Sequence, residues 1–177
     1  VVMDTNTRRG LVDSAYNERR SQCEEAARFF GVKALRDVSL TEFEARKNEL
    51  SPMTYKRAKH VISENERTTQ AAQAMKQGDA VLLGKLMKES HESLAMDFEV
   101  SSDALNIIVE SALEAGCYGA RMTGAGFGGC GVALVKAEQA ESFANNVAKS
   151  YKEKTGNEAS IYVCSATEGA SRIESSV

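Results

Sequence analysis

Apolar residues repeat with the period of an α-helix over most of the first two thirds of the chain. The first helix is predicted to start at Ser14 or Tyr16 and to end at Phe30, before a stop signal at Gly31. The segment 51–77 opens on Ser-Pro and keeps its apolar and small residues on one face, and the Gly-Asp pair after it ends this helix and begins the next. The pattern therefore predicts a long antiparallel helix pair. Further helices are predicted from Ser39 or Thr41 to about Leu50, from Ser102-Asp103 to before Gly116, and around 143–151.

The last third of the chain contains short apolar runs that are typical of strands. Four are predicted, at 118–123, 130–136, 159–164 and 169–173. Such a sheet buries one face, so we expect an α+β fold with helices packed on one face of a small antiparallel four-stranded sheet.

The chain begins on a short apolar run, Val1-Val2-Met3, without an initiator methionine. A strand so far in sequence from the others suggests that some of its pairing partners lie upstream. We therefore interpret 1–13 as a remnant strand and turn contiguous with a missing N-terminal domain, and 14–177 as one domain.

Composition limits the classes of function. The 177 residues carry a net charge of −3 with dispersed charges, which argues against a general affinity for nucleic acid or anionic membranes. No apolar run is long enough to cross a bilayer, and no signal peptide is visible. The four cysteines are widely spaced and have no histidine at metal-ligand spacing, which favours reduced thiols and a cytoplasmic protein over a disulfide framework or a zinc site.

Five of the eight residues at 124–131 are glycine, and this is the main functional signal. The run matches G-x-G-x-x-G, but a strand-like segment follows it where a dinucleotide site needs a helix, and it lacks the Gly-Lys-Ser/Thr of a Walker A loop. Two interpretations remain from the residues alone: a concavity that binds an anion through its N–H groups, or a wide hairpin or bulged edge without a ligand.

The sequence Arg-Met-Thr-Gly-Ala-Gly-Phe-Gly-Gly-Cys at 121–130 resembles the third conserved motif of the GHMP small-molecule kinases, in the form found in galactokinases. Three further segments are similar to galactokinase sequence in the same order, at 14–24, 57–64 and 86–94. This resemblance covers essentially the whole chain and implies the C-terminal domain of a GHMP kinase, with a ferredoxin-like core and inserted helices.

The resemblance implies ATP-dependent phosphorylation of galactose to galactose 1-phosphate in the presence of Mg²⁺. It also implies that the phosphate loop, the catalytic aspartate, the magnesium ligands and most sugar contacts lie in an N-terminal half outside this chain. No catalytic residue and no metal ligand is expected here, so the fragment alone is predicted to be inactive and, with apolar surface uncovered, to self-associate.

Two elements of the site carry over by resemblance. Tyr16 matches a tyrosine that contacts bound galactose. The loop matches a glycine-rich motif that lines the site, where Ala125 stands at a position that is often glycine. This motif comprises Thr123, Gly124, Ala125, Gly126, Phe127, Gly128 and Gly129.

Other residues are interpreted without a site role. His60 and His91 are read as packing or helix-surface histidines, and Arg19-Arg20 as solvated or ion-paired with Glu18 and Glu24. Two other functions stay open: a non-catalytic galactokinase-like sugar sensor, and a related GHMP kinase for another sugar such as N-acetylgalactosamine.

Overall fold

The computed structural model describes residues 1–7 and 12–167 as an α+β fold, which confirms the predicted class. Within these residues, six α-helices alternate with short connections and three 3₁₀ turns, the latter at Leu35–Asp37, Lys47–Glu49 and Ala137–Gln139. The helices are α1 Val12–Phe30, α2 Leu40–Arg46, α3 Pro52–Gln77, α4 Ala80–Met96, α5 Asp103–Glu114 and α6 Ala140–Thr155.

The long helix pair α3 and α4 starts and stops where the sequence predicts. The Ser51 hydroxyl accepts a hydrogen bond from the N–H of Thr54 at the start of α3. Gly78 ends that helix with a φ of 69°, a left-handed conformation that glycine adopts at little cost. The carboxylate of Asp79 then caps α4 by accepting from the N–H of Leu82. Two other predicted bounds were inexact: α1 begins at Val12, and α2 ends at Arg46 because the next residues tighten into the 3₁₀ turn.

The sheet has the strand order β2-β3-β1-β4, and all three pairings are antiparallel. Three of its strands were predicted, slightly longer than observed: β2 Gly119–Met122, β3 Cys130–Leu134 and β4 Ser160–Tyr162. The fourth is β1, Val2–Asp4. The strand predicted at 169–173 lies outside the described residues.

Strand β1 lies inside the sheet, not at an edge. Val2 pairs with Val132 of β3 on one side and with Tyr162 of β4 on the other. The expectation that this strand finds its pairing partners upstream was therefore wrong, because both of its edges are paired within the chain.

Two of the three hydrophobic clusters in the described residues pack the helices against the sheet and against one another. One lies between the sheet and the helices α5 and α6, where Met3 of β1, Ile108 and Phe143 are buried together. The other joins α1, α2 and α3 around Phe30 and Phe43.

Helix α4 lies along the free edge of β2 and approaches it backbone to backbone at Gly84 and Gly119. A Cβ atom at Gly84 would be 2.0 Å from the carbonyl oxygen of Tyr118, and one at Gly119 would be 1.9 Å from the carbonyl oxygen of Gly84. Glycine at both positions is thus what allows the helix to cover this edge.

Candidate functional site

The glycine loop, 123–129, connects β2 to β3 and is tied to the start of the chain. The N–H and the hydroxyl of Thr5 both donate to the carbonyl oxygen of Gly129, at 3.0 and 2.8 Å. The N–H of Gly129 donates in turn to the carbonyl oxygen of Thr7 at 3.1 Å. Because Thr5 is fully buried, these bonds fix one end of the loop firmly.

The middle of the loop is held against Val100, which follows α4. The N–H of Phe127 donates to the carbonyl oxygen of Val100 at 2.6 Å, and the Phe127 side chain is buried. Gly126 has a φ of 86°, and a Cβ there would be 2.1 Å from the same carbonyl oxygen. Glycine is therefore required at this position both by backbone conformation and by space.

A cavity of about 340 Å³ separates the glycine loop from helix α1. Tyr16 borders it on the helix side, and Gly124, Ala125 and Phe127 border it on the loop side. The remaining lining is mostly apolar and comprises Arg19, Arg20, Leu94, Phe98 and Val100. Two segments more than 100 residues apart in the sequence thus meet at one cavity, and both are segments predicted to form the site.

The predicted site residues divide into two groups. Tyr16 is 56% exposed and borders the cavity together with Gly124, Ala125 and Phe127. The other four residues of the loop lie outside the lining, namely Thr123, Gly126, Gly128 and Gly129. Gly126 and Gly129 shape and anchor the loop, as their contacts show.

The rim of the cavity offers hydrogen-bond donors. In the described part of the chain, the N–H groups of Gly124 and Ala125 donate to no other group, and both residues are exposed. The only charged residues that line the cavity within the described residues are Arg19 and Arg20. Exposed N–H groups at and beside the left-handed Gly124, together with the exposed guanidinium group of Arg20, suit an anionic ligand.

Arg20 and Arg19 differ in their surroundings. Arg20 is exposed and pairs with Glu24 one helical turn away, with Nε 2.9 Å from Oε1, as the sequence indicated. Arg19 pairs with Glu18, with Nη1 3.1 Å from Oε1, as the sequence also indicated, but it is not solvated: its side chain is largely buried, and its Nε donates to the carbonyl oxygen of Phe98 at 2.7 Å. Spacing could have indicated this, because Arg19 lies three positions after Tyr16 and hence on the same face of α1.

A second cavity, of about 630 Å³, lies on the other side of Tyr16. Its walls come from α1, α3 and the connection after α1, and they include Arg20, Lys33 and Arg36. Tyr16 is therefore accessible from both sides, which is consistent with a side chain available for contact with a ligand.

His60 is a structural residue here. Its imidazole is buried, stacks on the ring of Phe98 with centroids 4.5 Å apart, and places Nδ1 3.0 Å from the hydroxyl oxygen of Ser93. Burial lowers the pKa of His60 to about 4. The same Ser93 hydroxyl donates to Asp97, so the three residues do not form a hydrolase triad, in which histidine stands between the acid and the serine.

Metal-binding chemistry is not evident in the described residues, where no group of three or more histidine, cysteine or acidic side chains could hold an ion. The four cysteines are free thiols. Among the described helices, none is long and apolar enough to cross a bilayer.

Comparison with known proteins places this geometry in a family. Residues 71–153 match the model of the GHMP kinases C-terminal domain. The chain is 45% identical to the galactokinase of Roseiflexus sp. (strain RS-1) over 98% of its own length and 46% of that protein. It is 47% identical to the galactokinase of Haemophilus influenzae over 96% of its length and 45% of that protein. The chain thus spans just under half the length of these relatives.

Comparison with solved structures gives the same result as comparison with sequences. The crystal structure of Lactococcus lactis galactokinase complexed with galactose matches 91% of this chain and 43% of that one, with a TM-score of 0.86 and 39% identity. The crystal structure of L. major mevalonate kinase in complex with R-mevalonate matches 86% of this chain and 37% of that one with a TM-score of 0.51, but at 21% identity it shows only the shared fold. The chain therefore belongs to the GHMP kinase family and corresponds to the C-terminal part of a galactokinase.

Proposed function

We propose that this chain, joined to an N-terminal half, transfers the γ-phosphoryl group of ATP to the anomeric hydroxyl of galactose. The observation that carries the proposal is the shared cavity, which has Tyr16 on one wall and the exposed N–H groups of Gly124 and Ala125 on the other. The identities of 45 and 47% with two galactokinases support the choice of reaction.

In this proposal Tyr16 contacts the sugar. Its phenol combines a rigid ring with one hydroxyl that can donate and accept, which suits a sugar that presents both apolar C–H faces and hydroxyl groups. The loop, by contrast, would face the transferred phosphoryl group. Phosphoryl transfer depends mainly on positioning and on neutralising charge, and fixed N–H donors contribute to both.

ATP and Mg²⁺ are the cofactors of the proposed reaction. The described residues that line the cavity suit the phosphate groups of ATP better than they suit Mg²⁺. The exposed N–H groups suit phosphate oxygens, whereas no carboxylate of the described residues lines the cavity between α1 and the loop. Mg²⁺ prefers carboxylate and phosphate oxygens, so its protein ligands would come from the N-terminal half. A cytoplasmic location is also part of the proposal and is supported by the four free thiols.

The test compares the chain alone with the same chain joined to its N-terminal half. We expect the joined protein to form galactose 1-phosphate from galactose and ATP, as followed by mass spectrometry, and the chain alone to form none. Product formation by the chain alone would contradict the division of the site between two halves.

A panel of sugars distinguishes the other functions. Faster phosphorylation of N-acetylgalactosamine than of galactose would assign the protein to a different sugar. Galactose and ATP binding without any product would instead indicate a sugar sensor.

The chain alone is also expected to self-associate. The sheet face turned away from α5 and α6 carries a cross-strand row of apolar side chains at Val132, Val2 and Tyr162, none of them buried. Partly exposed apolar rows of this kind favour association. Sedimentation velocity tests this, and a monomer at all concentrations would contradict it.

A further inference from the structure

The turn at 97–100, which follows α4, has all four of its carbonyl oxygens bonded to donors from other parts of the structure. Two of the donors are arginine side chains from helices α1 and α3, and one is the glycine loop. The bonds are Arg57 Nη1 to Asp97 at 2.5 Å, Arg19 Nε to Phe98 at 2.7 Å, Arg19 Nη2 to Glu99 at 3.4 Å, and Phe127 N to Val100 at 2.6 Å.

This turn is rigid because its charges are paired. Glu99 has a φ of 56°, which strains a residue other than glycine, and its carboxylate bonds to Lys56 at 2.7 Å and to the fully buried Arg57 at 2.8 Å. Hydrogen bonds from Lys56 and Arg57 lower the pKa of Glu99 to about 2, so the carboxylate stays ionised at neutral pH. The ion pairs therefore hold a strained backbone in place.

Arg19 links this turn to the helix that carries Tyr16. The two residues are one turn apart on α1, and both line the cavity that faces the glycine loop. All three nitrogens of the Arg19 guanidinium have partners within the chain: Nε and Nη2 on the turn, and Nη1 on Glu18 at 3.1 Å. The group is thus committed to protein contacts and is not free for a ligand.

We propose that Arg19 is a positioning residue, which sets the separation of Tyr16 from the glycine loop by holding α1 against the 97–100 turn. The same turn also holds the loop, through the bond from the N–H of Phe127 to the carbonyl oxygen of Val100. The expected effect on catalysis rests on the proposed function, whereas the expected effect on the position of the loop does not.

The experiment uses Arg19→Met in the chain joined to its N-terminal half, with Arg28→Met as the matched control. Arg28 is an exposed arginine in the last turn of the same helix and lines neither cavity. Arg19→Lys is the second variant, since it keeps the charge and the long stem in case the Met variant fails to fold.

The structural readout is amide hydrogen exchange, which requires no activity. We expect exchange at Phe127 to become about tenfold faster in Arg19→Met, somewhat less in Arg19→Lys, and to remain unchanged in Arg28→Met. Unchanged exchange at Phe127 in a folded Arg19 variant would overturn the proposal.

The kinetic readout is a double-mutant cycle with Tyr16→Phe. If Arg19 acts through the position of Tyr16, each single substitution lowers kcat/KM for galactose. The fold-decrease in the double variant is then smaller, by about threefold or more, than the two single fold-decreases multiplied together. Effects that multiply fully would show that Arg19 acts independently of Tyr16 and would contradict the proposal.

The two readouts separate failure of the inference from failure of the proposed function. A wild-type protein that makes no sugar phosphate would refute the proposed function alone, and exchange at Phe127 would still decide whether Arg19 holds the loop.

Discussion

Nδ1 of His91 accepts a hydrogen bond from the backbone N–H of Met122 at 3.2 Å. Met122 is the last residue of β2 and lies two positions before Gly124, so this bond fixes the strand where the glycine loop begins. The N–H points to the free edge of the sheet, where α4 supplies the imidazole in place of another strand. His91 must be unprotonated at Nδ1 to accept it, and burial lowers the pKa of His91 accordingly.

Stability should fall as the solution becomes acidic, because His60 and His91 are buried in their neutral forms. A histidine whose folded pKa lies below its unfolded value near 6.5 contributes stability that is complete above pH 7 and is lost as the pH falls toward the folded pKa. With a folded pKa of about 4, His60 alone accounts for about 2 kcal/mol between pH 7 and pH 5. Urea denaturation at these two pH values measures this loss.

The variant His60→Gln isolates the effect. It should be less stable than the wild type at pH 7, because it loses packing against Phe98, but should lose clearly less stability between pH 7 and pH 5. Glu99 does not interfere, since its pKa of about 2 confines its contribution to lower pH. An unchanged pH dependence in His60→Gln would show that other groups cause it.

Gly126→Ala should destabilise the protein more than Gly124→Ala. Both glycines have a positive φ, but the added Cβ at Gly126 meets the Val100 carbonyl oxygen at 2.1 Å, whereas the one at Gly124 has no atom within 4 Å. We expect a loss of about 1 kcal/mol at Gly124 from backbone strain alone, and roughly 3 kcal/mol at Gly126 from strain and overlap together. Denaturation midpoints measure both, and equal losses would contradict the close approach to Val100.

Gly84→Ala tests the contact between α4 and β2. Alanine favours helix by about 1 kcal/mol over glycine, so an isolated helix would gain stability. Here we expect a net loss of roughly 3 kcal/mol, since the methyl group would overlap the Tyr118 carbonyl and push α4 off the strand.

The control for Gly84→Ala is Val81→Ala on the same helix, where the side chain is 70% exposed. This substitution should change stability by less than about 0.5 kcal/mol. A Gly84→Ala protein as stable as the wild type would mean that the helix and strand are farther apart than described.

Tyr16→Phe should weaken galactose binding in the joined protein without affecting folding. Loss of one hydrogen bond of about 0.5 to 1.5 kcal/mol corresponds to a KM for galactose that is about two- to tenfold higher. Tyr162→Phe is the matched control, because Tyr162 is equally exposed at 56% but lies on β4, away from both cavities. Equal KM values for the wild type, Tyr16→Phe and Tyr162→Phe would show that the Tyr16 hydroxyl does not contact the sugar.

Local features were predictable from the sequence and distant pairings were not. The bounds of α3 followed from Ser51, Pro52 and Gly78, whose effects on the backbone act within one helical turn. The place of β1 between β3 and β4 did not follow, because its partners are more than 120 residues away and leave no mark on its three residues. The three residues of such a short strand show the same sequence pattern whether the strand lies at an edge or at the centre of a sheet.

The site was predictable to a similar extent. The family resemblance named Tyr16 and the glycine loop as site residues, and the structure brings both to one cavity. The sequence did not reveal the internal position of Arg57, since a buried arginine is recognisable only from partners such as Gln22 and Glu99 that folding brings to it. Gly84 was missed for a similar reason, because its tight contact lies on a strand that is remote in sequence.

The central position of β1 sets the order in which this domain can be completed. During synthesis β1 leaves the ribosome long before β3 and β4, and it has no strand to pair with until β3 has emerged. The helices α1 to α4 can form from local contacts in the meantime, but the anchor of the glycine loop on Thr5 and Thr7 closes only when Gly129 meets the start of the chain. The glycine loop, which forms one wall of the cavity, is thus among the last parts to become ordered, and a ribosome that stalls before β3 would release a chain with helices but without that wall.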